Sequence, residues 1–127
     1  MEKPITNEIL NYLNKYPGCF ALKRLNTGMT GTTGFADISG VVSIHFRGIH
    51  IEIEVKYPGE EPSELQLSRL RMFRELGCIS FWCDSVDSAK VQFLSWLEFL
   101  KTGERRPSDS DIESCSNFRL SDLEVSD

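Results

Sequence analysis

The chain has 127 residues, 40% of them hydrophobic and 26% charged. That is one domain by length, large enough to bury roughly two-thirds of its unfolded surface without a disulfide or a metal. Composition excludes a collagen-like or wholly disordered chain, and no apolar run approaches the ~18 residues that span a bilayer. The net charge is −5, which taken whole disfavours nucleic acid as a partner.

The charge is unevenly placed. Residues 1–106 carry 13 acids and 13 bases. Residues 107–127 carry Asp109, Asp111, Glu113, Asp122, Glu124 and Asp127 against Arg119 alone. A neutral domain over 1–106 and an acidic, Ser/Asp-rich, disordered tail over 107–127 are therefore expected. The start, Met1-Glu2-Lys3-Pro4-Ile5, has no apolar run to serve as a signal peptide, so the expectation is a cytoplasmic protein. Cys19, Cys78, Cys83 and Cys115 form no C-x-x-C pair and are expected as buried or partly buried thiols rather than a zinc site.

In chain order, residues 5–16 read as a helix with Ile9, Leu10, Leu13 and Tyr16 on one stripe, ended by Pro17-Gly18. Residues 19–25 read as a strand. Residues 26–34 are rich in glycine and threonine and read as a loop. It is not a phosphate-binding P-loop, because no Gly-Lys-Ser/Thr ends it. Residues 38–46 and 49–56 read as a hairpin turned at Arg47-Gly48. A turn there sets Asp37 near residues 57–58. The second strand alternates: Ile49, Ile51, Ile53 and Val55 face one side, and His50, Glu52, Glu54 and Lys56 the other. Ser63 opens a helix with Gln66 three residues on, a capping-box pattern, and Gly77 stops it. Residues 78–83 form a short apolar strand. Asp84 or Ser85 caps a last helix that runs to about Thr102, with Phe93, Trp96, Phe99 and Leu100 as core, dimer interface or both. Three strands followed by a helical crossover into a fourth give an α/β fold with a mixed sheet flanked by helices.

The candidate chemistry lies at Asp37, Glu54 and Lys56. Glu54 and Lys56 stand two apart on one strand, so both side chains leave the same face. Asp37 starts the neighbouring strand and is expected at the same end. Two adjacent carboxylates suit a hard cation such as Mg²⁺, with the Val55 backbone carbonyl as a third oxygen ligand. Lys56 then offers a point charge to a phosphate or holds an attacking water. The alternative is a solvated cross-strand ion-pair face. His50 and Glu52 share the face of Glu54 farther from Asp37 and read as ordinary solvent-facing residues, or else as supports behind the metal ligands. Arg24 and Asn26 border the loop and face either DNA backbone or a turn. Arg69, Arg71 and Arg74 spread round one helix and read as solvated surface, or as part of a basic rim with Lys23, Arg24 and Arg47. Trp82 and Trp96 read as core.

Four stretches carry a family resemblance: Arg24-Leu25-Asn26-Thr27-Gly28, Gly34-Phe35-Ala36-Asp37-Ile38-Ser39-Gly40, Ile53-Glu54-Val55-Lys56-Tyr57-Pro58-Gly59 and Ser63-Glu64-Leu65-Gln66. With the order of elements, they resemble the PD-(D/E)xK nuclease superfamily. Within it they resemble the virus-type replication-repair nucleases (VRR-NUC) of the short stand-alone kind found in phages and bacteria. The likeness covers residues 2–88 and departs at Ala36, where the superfamily has proline. It implies a restriction-endonuclease-like αβββαβ core plus a C-terminal helix. It also implies a Mg²⁺- or Mn²⁺-dependent DNA endonuclease, structure-specific for junctions or flaps in replication, repair or recombination, and acting as a homodimer. Asp37 and Glu54 are then metal ligands, Lys56 the catalytic lysine and Gln66 the glutamine that completes the site. An acid on the first helix, Glu8 or Glu2, joins them. The alternatives are a catalytically silent binding module on the same fold and a nuclease subunit of a restriction or defence system.

Overall fold

The computed structural model describes residues 4–24 and 36–107. The first apolar stripe forms helix α1 (Pro4–Lys15), which buries Ile9 and Leu13. Strand β1 (Cys19–Lys23) follows, then β2 (Ile38–Ile44) and β3 (Arg47–Val55). Helix α2 (Glu64–Glu75), strand β4 (Ile79–Cys83) and helix α3 (Val86–Thr102) complete the order. The element order matches the sequence expectation throughout. Asn26, Gly28, Gly34, Glu2, Cys115 and the tail beyond residue 107 lie outside the described residues.

The four strands form one mixed sheet in the order β1-β2-β3-β4. β1, β2 and β3 pair antiparallel, and β4 joins β3 in parallel through the α2 crossover. One face is apolar. Ile38, Ile51, Ile53 and Phe81 make its fully buried centre, with Ile9 and Leu13 of α1 and Phe93 and Leu97 of α3 packed on it. The opposite face carries α2 over β3 and β4, where Leu70 meets Trp82 and Ala36. Phe20, Leu22 and Val41, towards the β1 edge of that face, remain exposed.

Local chemistry sets the boundaries. Ser63 accepts from the Gln66 N–H at 3.1 Å, and Gln66 Oε1 accepts from the Ser63 N–H at 2.8 Å, so the expected capping box forms. Ser85, not Asp84, caps α3, and Gly103 ends it in the left-handed conformation at φ 78°. Gly40 is required by close approach. A Cβ there would lie 2.5 Å from the Phe20 carbonyl oxygen and 2.8 Å from Ala21 Cα, which leaves β1 no room to pair.

The hairpin turn differs from expectation. It falls at His45-Phe46, with φ of 53° and 66°, between the paired residues Ile44 and Arg47. Two left-handed residues match the right-handed twist of the flanking strands. Gly48, taken from the sequence as the turn glycine, is instead strand backbone opposite Ser43. Moving the turn two residues back shifts the register. Ile38 pairs with Ile53, so Asp37 comes opposite Glu54 rather than residues 57–58.

The strip on α3 resolves mainly as core: Phe93 and Trp96 are buried, while Phe99 and Leu100 pack partly buried against the same cluster. Trp82 is buried as well. Among the described residues, no helix is long and apolar enough to cross a membrane.

A candidate carboxylate and lysine centre

β3 is an inner strand of the sheet, and Ile51 through Val55 are buried on both faces. The face that read as solvated is therefore covered. Glu52 is 1% exposed and Glu54 2%. Removing a carboxylate from water costs several kcal/mol unless charges or strong hydrogen bonds compensate, so the solvated ion-pair reading of this face is replaced by a buried charged cluster.

Asp37 ends the loop side of β2. Its Oδ2 accepts from the Val55 N–H at 2.9 Å, which locks the carboxylate to the β3 residue between Glu54 and Lys56. In an extended strand the N–H and C=O of one residue point to the same neighbour. The Val55 carbonyl thus lies on the Asp37 side, as the ligand reading requires. Lys56 Nζ lies 3.8 Å from Glu54 Oε2, with 17% of its side chain exposed. The Lys56 N–H donates to the Cys83 carbonyl at 2.9 Å, which fixes the strand at this end.

A second group of charges adjoins this one, and in it the solvent-facing expectation fails at Glu52. Arg24 Nη2 donates to Glu52 Oε1 at 2.5 Å, and Arg24 Nε donates to the Ala36 carbonyl at 2.9 Å. His50 Nε2 is 2.9 Å from the same Glu52 oxygen, and its ring packs 5.4 Å from that of Phe73 on α2. Arg24 is thus an internal ion-pair partner, and Glu52 is not solvent-facing. The signal available was position. A helix crossover from β3 to a parallel β4 makes β3 an inner strand with α2 above its charged face.

Arg74 also departs from the surface expectation. It is 4% exposed, its Nε donates to the Ser80 carbonyl at 2.7 Å, and its guanidinium lies 5.0 Å from the Trp96 ring centre. The three described thiols lie as expected: Cys19 and Cys78 are partly buried and Cys83 fully, and none is in a disulfide. Burial pushes the Cys19 thiol up to about 11. Burial and then the nearby Glu52 carboxylate raise that of Cys78.

The structure thus brings Asp37, Glu54, Val55 and Lys56 together. Gln66 stands at the start of α2 with its side-chain oxygen engaged in the capping box, so its amide NH₂ is what it can offer a site. Glu8 is exposed on α1, whose buried side packs on the apolar face of the sheet, away from Glu54. No group of three or more His, Cys, Asp or Glu side chains forms a metal cluster among the described residues. The donors at hand are two carboxylates and a backbone carbonyl. They fit a hard divalent cation. All are oxygen, the donor type such an ion takes, and it keeps water in its remaining positions. Glu52 Oε2 is buried without a hydrogen-bond partner. Neither protein-family models nor curated proteins give a match to the chain.

Proposed function

We propose that the chain is a Mg²⁺- or Mn²⁺-dependent DNA endonuclease with a restriction-endonuclease-like core, related to the VRR-NUC branch of the PD-(D/E)xK nucleases. One observation carries the reading: the Asp37 carboxylate is hydrogen-bonded to the backbone between Glu54 and Lys56. This assembles two carboxylates, a carbonyl and an ammonium from two strands at one end of the sheet. A surface ion-pair face needs neither the burial of Glu54 nor that backbone bond.

Asp37, Glu54 and the Val55 carbonyl would hold the metal, which would supply Lewis-acid activation of a water and charge compensation at the phosphate. Lys56, tethered near Glu54, presents its ammonium to the scissile phosphate and orients the water that attacks it. Gln66 supports the site through its NH₂ while its oxygen caps α2. Burial keeps Glu54 and Lys56 in a low-dielectric setting, where their electrostatic effect is larger than in water. The substrate is branched DNA, a junction or a flap. A small domain grips two arms only as a homodimer, which supplies a second centre.

Cleavage of labelled four-way junction, flap, linear duplex and single-stranded DNA in Mg²⁺, Mn²⁺ and EDTA tests this reading. The expected result is metal-dependent cleavage of the branched substrates, lost in Asp37→Ala and Lys56→Ala. Metal-independent cleavage, or full activity in both variants, contradicts the assigned centre. DNA binding without cleavage of any substrate supports the silent-module alternative instead.

A further inference from the structure

Arg24 stands one residue past β1, at the point where the chain leaves the sheet. Three of its hydrogen bonds surround the entry to β2, one of them to Asp37 itself. Its N–H donates to the Asp37 carbonyl at 2.6 Å, one rung beyond the last β1–β2 pair, Lys23 with Ile38. Its Nε donates to the Ala36 carbonyl. Its Nη2 donates to Glu52, two residues before Glu54 on the same face of β3. The Arg24 side chain thus ties the Ala36 carbonyl, just before Asp37, to the strand that carries Glu54, while its backbone N–H holds Asp37 itself.

The partner explains a burial that is otherwise costly. Glu52 is almost wholly inaccessible and leaves Oε2 without a hydrogen-bond partner. A neutral or apolar residue would fill the position at lower desolvation cost. What the charge does is hold a guanidinium, with His50 on the same oxygen from the β3 side. The planar fork reaches the carbonyl from Nε and the carboxylate from Nη2, two nitrogens held at a fixed separation. Lysine carries its three donors on one nitrogen and cannot span the same two acceptors with that geometry.

We propose that Arg24, anchored by Glu52, is a positioning residue that sets the Asp37 carboxylate on the Glu54–Val55 end of β3. Its consequence for metal binding rests on the nuclease reading above; its consequence for Asp37 does not. The bond from the Val55 N–H to Asp37 reports the placement directly. Amide exchange by NMR on Arg24→Lys, Arg24→Gln and Glu52→Gln tests it, beside calorimetric titration of each protein with Mn²⁺ alone.

In the Arg24 variants the Val55 amide exchanges faster while Ile51 and Ile53 in the same strand keep their protection. Mn²⁺ affinity falls about 10- to 100-fold, the range for groups that orient metal ligands. The milder Arg24→Lys keeps the test open if Glu52→Gln fails to fold. A Val55 amide as protected as in the wild type overturns the proposal. So does equal loss of protection at Ile51 and Ile53, which marks a general structural role. A wild-type protein that takes up no Mn²⁺, with Val55 still responding to Arg24, overturns the nuclease reading and upholds the clamp.

Discussion

The two faces of β3 are built from alternate residues of one nine-residue strand, yet they are held by different physics. On one face Ile51, Ile53 and Val55 are fully buried among Ile38, Phe81 and Phe93, and stability there scales with apolar area removed from water. On the other, Glu52 and Glu54 are as deeply buried, but under α2 and beside Asp37, Arg24 and Lys56. The first face stabilises the fold. The second costs stability and is explained by what it holds. Depth of burial alone does not separate core from site; the chemistry of the buried groups does.

The largest expected effect falls on the charged face. Asp37→Ala and Lys56→Ala should each lower the cleavage rate by about 10²- to 10⁴-fold, the usual reach of a positioned proton-transfer or electrostatic group. Both variants should remain folded, with Lys56→Ala melting lower than Asp37→Ala because it removes the cation beside the buried Glu54 carboxylate. Cleavage of a labelled junction and a thermal melt on the same samples check both halves. Ile53→Ala, one residue from Glu54 on the apolar face, should do the reverse. It should cost about 2–5 kcal/mol of stability in urea unfolding and leave the metal dependence of the surviving folded fraction unchanged.

Glu54→Gln sharpens the contrast. Neutralising a buried carboxylate that serves a ligand should be neutral or stabilising by about 1 kcal/mol in the absence of metal, while cleavage is lost. Marked destabilisation would place Glu54 with the structural residues.

Gln66 separates two roles by paired variants. Gln66→Ala removes half of the capping box and should cost about 1 kcal/mol. Gln66→Glu keeps an oxygen for the Ser63 N–H and the fold's stability, but loses the NH₂. Retained stability with reduced cleavage would assign the amide to the site.

The smallest effect is a pH dependence at Cys19. Its folded pKa lies above the ordinary value of 9.0, at about 11, so the fold favours the protonated thiol. That contribution to stability is full below about pH 9 and is lost as pH rises through 11. The reactive form is the thiolate, so alkylation of Cys19 near pH 8 should be slower in the folded protein than in urea. Equal rates would show that the burial of Cys19 has no effect on its chemistry.

Much of this was legible in the sequence. The stripe of Ile9 and Leu13, the Ser63–Gln66 box and Gly103 announced the helices, because periodicity and caps are local. The β3 alternation announced its two faces. The turn was not legible. Gly48 is the obvious turn residue, but pairing Ile44 with Arg47 lets His45 and Phe46 take left-handed conformations that neither residue favours, and only the sheet as a whole decides that. Asp37, Glu54 and Lys56 could be named from their spacing. The bond from Val55 to Asp37 could not, because it depends on the register. The Arg24–Glu52 pair was not legible, because an alternating charged face looks solvated until the helix that covers it is placed.

The claim on which the rest depends is that Asp37 and Glu54 together hold a divalent cation. Calorimetric titration of the wild-type protein and of Glu54→Gln with Mn²⁺, at neutral pH and without DNA, measures it most directly. The account predicts saturable binding in the wild type and its loss in Glu54→Gln, with both proteins folded. Absent binding in the wild type, or undiminished binding in Glu54→Gln, would contradict it.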